Sequence, residues 1–119
     1  MGRPPLPGNR LETEFLGRRW LFRRQSALEQ LALHALALEL AGRLARRGLG
    51  GREGLALAHN CALLWQTLED PPPPGQPEGL LGWLSAGQVA ALCRRCRAGW
   101  QEKEEQACAT TCPPSWRTT

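Results

Sequence analysis

Between Leu11 and Arg24 apolar and polar residues alternate, and from Ser26 onward they fall into stripes spaced three and four positions apart. A period of two giving way to one near 3.6 predicts a short strand pair running straight into a helix. Trp20 and Phe22 share one face of the second strand, while Arg19, Leu21 and Arg23 share the other. Gly17-Arg18 stands where the chain must reverse, so the hairpin is predicted over residues 11–15 and 19–23. A lone hairpin is marginal in water, and its aromatic face must rest on the helix that follows.

Ser26-Ala27-Leu28-Glu29 reads as a capping box, in which hydroxyl and carboxylate each satisfy the other residue's amide. The helix it opens is apolar on two sides. Leu28, Leu31, Ala35 and Leu38 form one stripe, and Leu33, Leu36, Leu40 and Leu44 form a second on nearly the opposite side. Arg43, Arg46 and Arg47 suit the C-terminal dipole, and Gly48, Gly50 and Gly51 end the helix. A second helix is predicted over residues 52–69, with Leu57, Cys61, Leu64 and Leu68 in line, flanked by Ala58 and Trp65. Asp70 and the prolines from Pro71 to Pro74 stop it. A short helical turn over 78–84 leads to a second capping box, Ser85 to Gln88, with Leu84 and Val89 placed as its hydrophobic staple. The third helix carries Val89, Leu92, Cys93, Cys96 and Trp100 on one side and Arg94, Arg95 and Arg97 on the other.

These elements predict a mainly α fold: a small N-terminal β-hairpin followed by three long helices packed as a compact bundle. Residues 1–10 read as a flexible tail, 11–107 as a single helical domain, and 108–119 as a disordered C-terminal tail. The proline-rich loop is short enough to join packed elements, so it does not divide the chain.

Composition changes this picture little. The chain has 119 residues, 42% of them apolar, and a formal charge of +4, enough for one modest core and a mild basic excess. Much of that excess sits in the first 25 residues, where it could meet nucleic acid, an acidic protein or solvent. The leucine-rich stretch Ala27 to Ala45 also holds Glu29, Gln30, His34, Glu39 and Arg43, which makes it a core helix and not a membrane span. MGRPPLPGNR has no apolar core of a secretory signal, and five cysteines without such a signal predict reduced thiols in a cytoplasm.

Several groups of residues could carry chemistry. Cys93-x-x-Cys96 and Cys108-x-x-x-Cys112 have the look of two halves of a zinc site. On one continuous helix, however, Cys93 and Cys108 would stand roughly 22 Å apart at 1.5 Å per residue. Zinc needs its sulfurs within about 4 Å of each other. Cys93 and Cys96 are therefore read as small buried hydrophobes, and a redox role is disfavoured by their place well inside a helix. His34 and His59 lack ligand-spaced partners, no carboxylate pair sits in an apolar setting, and Gly48 to Gly54 lacks the strand and the lysine of a phosphate loop. The sequence thus predicts no catalytic residue, no cofactor and no metal. Arg18, Arg19, Arg23 and Arg24, interleaved with Trp20 and Phe22, could pair phosphate contacts with base stacking. The competing reading turns both aromatics into the core and leaves the arginines as a solvated edge.

The hairpin residues Phe15, Gly17, Arg18, Trp20, Phe22 and Arg23 lead directly into Ser26-Ala27-Leu28-Glu29. Together with Leu81, Leu84, Ser85, Val89, Leu92 and Trp100 farther on, they resemble the small tail assembly chaperones of tailed phages and prophages, especially those of GC-rich Firmicutes. The likeness covers about residues 12 to 102, while the cysteines and the proline-rich N-terminus depart from the usual pattern. It implies a non-enzymatic protein of the bacterial host cytoplasm that binds the tape-measure protein and keeps it soluble during tail assembly. Such a role needs an apolar helix face that can accept another amphipathic helix or oligomerise. The candidate partner-binding surface is Leu33, Leu36, Leu40 and Leu44, with Trp20 of the hairpin; burial of those leucines by the other helices is the alternative. A homo-oligomer stays open. The alternative function is a small basic nucleic-acid-binding or regulatory helical protein.

Overall fold

The computed structural model describes residues 8–111, with side chains for 8–106. Its elements run β1 (Arg10–Phe15), β2 (Arg18–Arg23), α1 (Ala27–Arg46), α2 (Gly51–Thr67), β3 (Leu68–Asp70), a 3-10 turn (Pro77–Gly82) and α3 (Ala86–Thr111). The architecture is mainly α with a minor antiparallel β part, as the periodicity predicts. Of the expected tails, residues 1–7 and 112–119 lie outside the described residues. Inside them, Arg10 already opens β1 and α3 continues to Thr111, so both boundaries move outward from those read in the sequence.

The hairpin closes on Leu16-Gly17, one residue before the expected reversal. Both residues have positive φ, 54° and 73°, the conformation of a tight type I′ connection. Phe15 pairs with Arg18, Thr13 with Trp20 and Leu11 with Phe22. That register sends Leu11, Trp20 and Phe22 to one face, where each is at most 5% exposed. Trp20 does not lose its polar handle on burial, because its indole N–H donates to the Phe15 carbonyl at 3.1 Å.

A third strand was not foreseen. α2 ends two residues before the expected Glu69, and Leu68–Asp70 pairs antiparallel with β2, with an irregularity between Leu21 and Phe22. Two causes act here, one local and one from a distant strand. Pro71 drives Asp70 away from helical dihedrals, and the second edge of β2 offers unpaired backbone groups that an extended neighbour can satisfy.

Both predicted capping boxes form. Glu29 N–H donates to Ser26 Oγ at 3.1 Å while Ser26 N–H donates to the Glu29 carboxylate at 3.0 Å. The pair at Ser85 and Gln88 is the same, at 2.9 and 3.2 Å. α1 stops in a Schellman motif: Gly48 takes φ 94°, Gly48 N–H bonds the Ala45 carbonyl at 3.0 Å and Leu49 N–H bonds that of Leu44 at 2.9 Å. The core joins the hairpin's inner face to Leu40 and Leu44 of α1, Leu57, Cys61 and Leu64 of α2, and Val89, Leu92 and Cys96 of α3. α2 lies between the other helices, packing along α1 on one side and meeting α3 on the other.

The tight α1–α2 connection depends on Gly54. A Cβ there would stand 2.4 Å from the Leu49 carbonyl oxygen, which is backbone and cannot swing aside, whereas nothing lies within 4 Å of a Cβ added at Gly42. Gly54→Ala is expected to destabilise the fold by about 2 kcal/mol or more. Gly42→Ala, on an exposed helix interior, is expected to stabilise it by roughly 0.5–1 kcal/mol. Urea unfolding of both variants at low protein concentration checks this; equal midpoints would remove the connection as a constraint.

Candidate functional site

α1 has leucines on two sides, so its rotation about its own axis decides which leucines reach solvent. Two polar clamps set that rotation. At the N-terminal end Arg23 grips both carboxylate oxygens of Glu29 and also donates to the Gln66 carbonyl of α2 at 2.7 Å. Gln66 returns a hydrogen bond from its amide to the Glu29 carbonyl at 3.2 Å, and Gln25 donates to the Gln66 side chain at 2.7 Å. At the C-terminal end Arg43 donates twice to Glu78 of the 3-10 turn, at 2.5 and 3.2 Å. Glu29 and Arg43 are nearly four helical turns apart, so they lie within about 40° of the same side of α1. Both clamps therefore pull one side of the helix against the body of the protein.

The side they leave outward is the first stripe. Leu28 is 75% exposed, Leu31 81% and Leu38 49%, with Ala35 exposed between them. This corrects the surface expected from the sequence. Leu40 and Leu44 belong to the core at 0% and 4% exposure, Leu33 and Leu36 are half-buried, and Trp20 is buried under the hairpin. The stripe that turns inward is also the more apolar one, four leucines against three and an alanine, and the ion pairs made by Glu29 and Arg43 lie on that same side and reinforce the choice.

The arginines do not form the aromatic-interleaved surface weighed above. Trp20 and Phe22 face the core, which takes away the stacking platform. Arg19 pairs with Glu12 at 3.1 Å, Arg10 with Glu69 at 2.9 Å, and Arg24 with Glu104 at 3.1 Å while it lies over the Trp100 ring at 4.7 Å. Arg95 is drawn onto β1, donating to the Glu14 carbonyl at 2.5 Å beside the Phe15 ring.

Cys61, Cys93 and Cys96 are buried thiols. Burial pushes Cys93 and Cys96 up to about 12 and Cys61 to about 11, so all three stay protonated at neutral pH and are poor nucleophiles. Cys93 spends its proton on a long bond to the Asn60 carbonyl, 3.5 Å. The helix is continuous past Gly99, so the chain reversal that a four-cysteine zinc site would need is not made; the side chains of Cys108 and Cys112 lie outside the described residues. Among the described residues no group of three or more His, Cys, Asp or Glu could hold a metal ion. His34 and His59 are both exposed. No helix among the described residues is long and apolar enough to cross a membrane.

No protein-family model matches the chain, and no curated protein or solved structure matches it either. The outer face of α1 therefore stands on its own geometry as the candidate site: a run of exposed leucines on a rigidly held helix.

The clamp that orients this face titrates. The Arg23 guanidinium, and after it the Ser26 cap, hold the Glu29 carboxyl down to about 2 from an ordinary 4.5. A lowered folded-state pKa adds stability above the ordinary value and loses it as pH falls through the folded one. Stability should thus decline from about pH 5 toward pH 2, with Arg43–Glu78 acting in the same direction. Glu29→Gln should cost about 1 kcal/mol at neutral pH, allowing for solvent screening of a partly exposed pair, and flatten that decline. Thermal melts across that pH range read both effects.

Proposed function

We propose that this protein is a non-enzymatic assembly chaperone, one that holds an amphipathic helix of another chain against the outer face of α1. In its specific form the reading is that of a phage tail assembly chaperone, working in the bacterial host cytoplasm and keeping the tape-measure protein soluble. One observation carries it: Leu28, Leu31 and Leu38 stand exposed in a line on a helix whose rotation is locked. Burying one such leucine is worth roughly 1.5–3 kcal/mol, so a face carrying three of them has much to gain from a helical partner. The protonated thiols and the internally paired carboxylates support a protein that binds instead of transforming a substrate.

The nucleic-acid reading loses its stacking platform with the burial of Trp20 and Phe22. Salt separates the two. A leucine-lined contact should change affinity little between 50 and 200 mM salt, where six to ten phosphate contacts would weaken binding about 10³–10⁵-fold.

Co-expression with the tape-measure protein tests the proposal. The wild-type chain should keep that protein in the soluble fraction, and Leu31→Glu should reduce the soluble yield several-fold without unfolding the chaperone. If the yield is unaffected by Leu31→Glu, or if the complex dissolves steeply with salt, the face of α1 is not what holds the client.

A further inference from the structure

The exposed positions of α1 follow a stricter rule than a stripe. Leu28, Leu31, Ala35, Leu38, Gly42 and Ala45 are spaced three, four, three, four and three residues apart, and all six are exposed. That is the a/d seam of a heptad repeat, running the length of the helix on the side away from the core. The seam is asymmetric in size. Three of the four positions in its N-terminal part are leucine, while its C-terminal part ends in Gly42 and Ala45. Above Gly42 there is open space, with nothing within 4 Å of where a Cβ would sit.

We propose that a second copy of this chain covers the seam, α1 against α1 in antiparallel register. In that register position 28 faces 45 of the other copy, 31 faces 42, and 35 faces 38. Each layer then joins one leucine to one small residue, so the two helices approach closely with neither voids nor overpacking. Only this orientation gives that match. A parallel pair would set Leu28 against Leu28 and Gly42 against Gly42, alternating crowded and empty layers.

Charge selects the same orientation. A parallel pair would bring Arg46 and Arg47 of the two copies together at one end, both being exposed. The antiparallel pair keeps the two basic ends apart.

The size of the seam limits its strength. A helix about 30 Å long and about 10 Å across offers a footprint of roughly 300 Å² per copy, well under the ~800 Å² per partner of long-lived complexes. The contact is therefore a weak one, far short of a long-lived dimer. It needs no other protein, so it goes beyond the client-binding reading and stands or falls without it.

Sedimentation equilibrium of the full chain under reducing conditions, from about 10 µM to about 1 mM, tests the proposal. The mean mass should climb from 13.1 kDa toward twice that value over the range. Leu31→Glu, at a site already 81% exposed, should fold normally and raise the dissociation constant at least about tenfold. Orientation has its own readout: the double variant Leu28→Glu/Ala45→Lys should associate more tightly than Leu28→Glu alone, because antiparallel register sets each new carboxylate opposite a new ammonium, whereas a parallel pair would set like charges together at both positions. A mass fixed at 13.1 kDa throughout overturns the proposal. So does self-association that Leu31→Glu leaves untouched, and a double variant no tighter than Leu28→Glu alone overturns the antiparallel register.

Discussion

Glu29 takes part in three structures at once. Its carboxylate closes the capping box of α1, grips Arg23 at the end of the hairpin, and through Arg23 and Gln66 ties both to the last turn of α2. Hydrophobic burial supplies most of the stability here, as in any small domain. Burial favours the face of α1 with four leucines over the face with three and an alanine. A directional interaction fixes the rotation more narrowly, and a bidentate arginine–carboxylate pair is among the most directional available. With Arg43–Glu78 at the far end, it turns one apolar stripe inward and holds the other in solvent.

The hairpin is subordinate to the same junction. Two strands are too few to stand alone, and β3 makes a third by adding Leu68–Asp70 to the free edge of β2. β3 follows α2 directly, so the sheet and the second helix share a corner, and Arg23 reaches across it to the Gln66 carbonyl. On the other side α3 comes close to β1 at Gly99, where a Cβ would sit 2.8 Å from Leu11. The sheet is wedged between α2 and α3, and this explains how Trp20 and Phe22 become core residues although the strand they share borders four arginines.

Much of this was legible in the sequence because it is local. The two capping boxes, the alternation through Trp20 and Phe22, the glycines after α1 and the proline stop after α2 each act within a few residues, and each forms. Two features were not local and were missed. β3 depends on an edge supplied by β2, some 47 residues earlier in the chain; Pro71 signalled only that Asp70 would be extended. The choice of outward stripe depends on partners for Glu29 and Arg43 that come from Arg23, Gln66 and Glu78. The sequence does carry one hint: the stripe that turns inward has four leucines, the outward one three and an alanine.

An exposed row of leucines is costly in a small protein, because it offers a surface for indiscriminate sticking. The chain could lower that risk by replacing them, or it could give the face a partner. A seam whose large residues match its own small ones provides a weak partner in every other copy. Weakness is useful under the chaperone reading: a loosely held cover yields to any helix that offers a longer apolar face, while it still shields the leucines when the protein accumulates. The small end of the seam, Gly42 and Ala45, matters as much as the leucines: the leucines of a second copy need those small positions to pack against, so enlarging them would crowd the layers and loosen the self-contact.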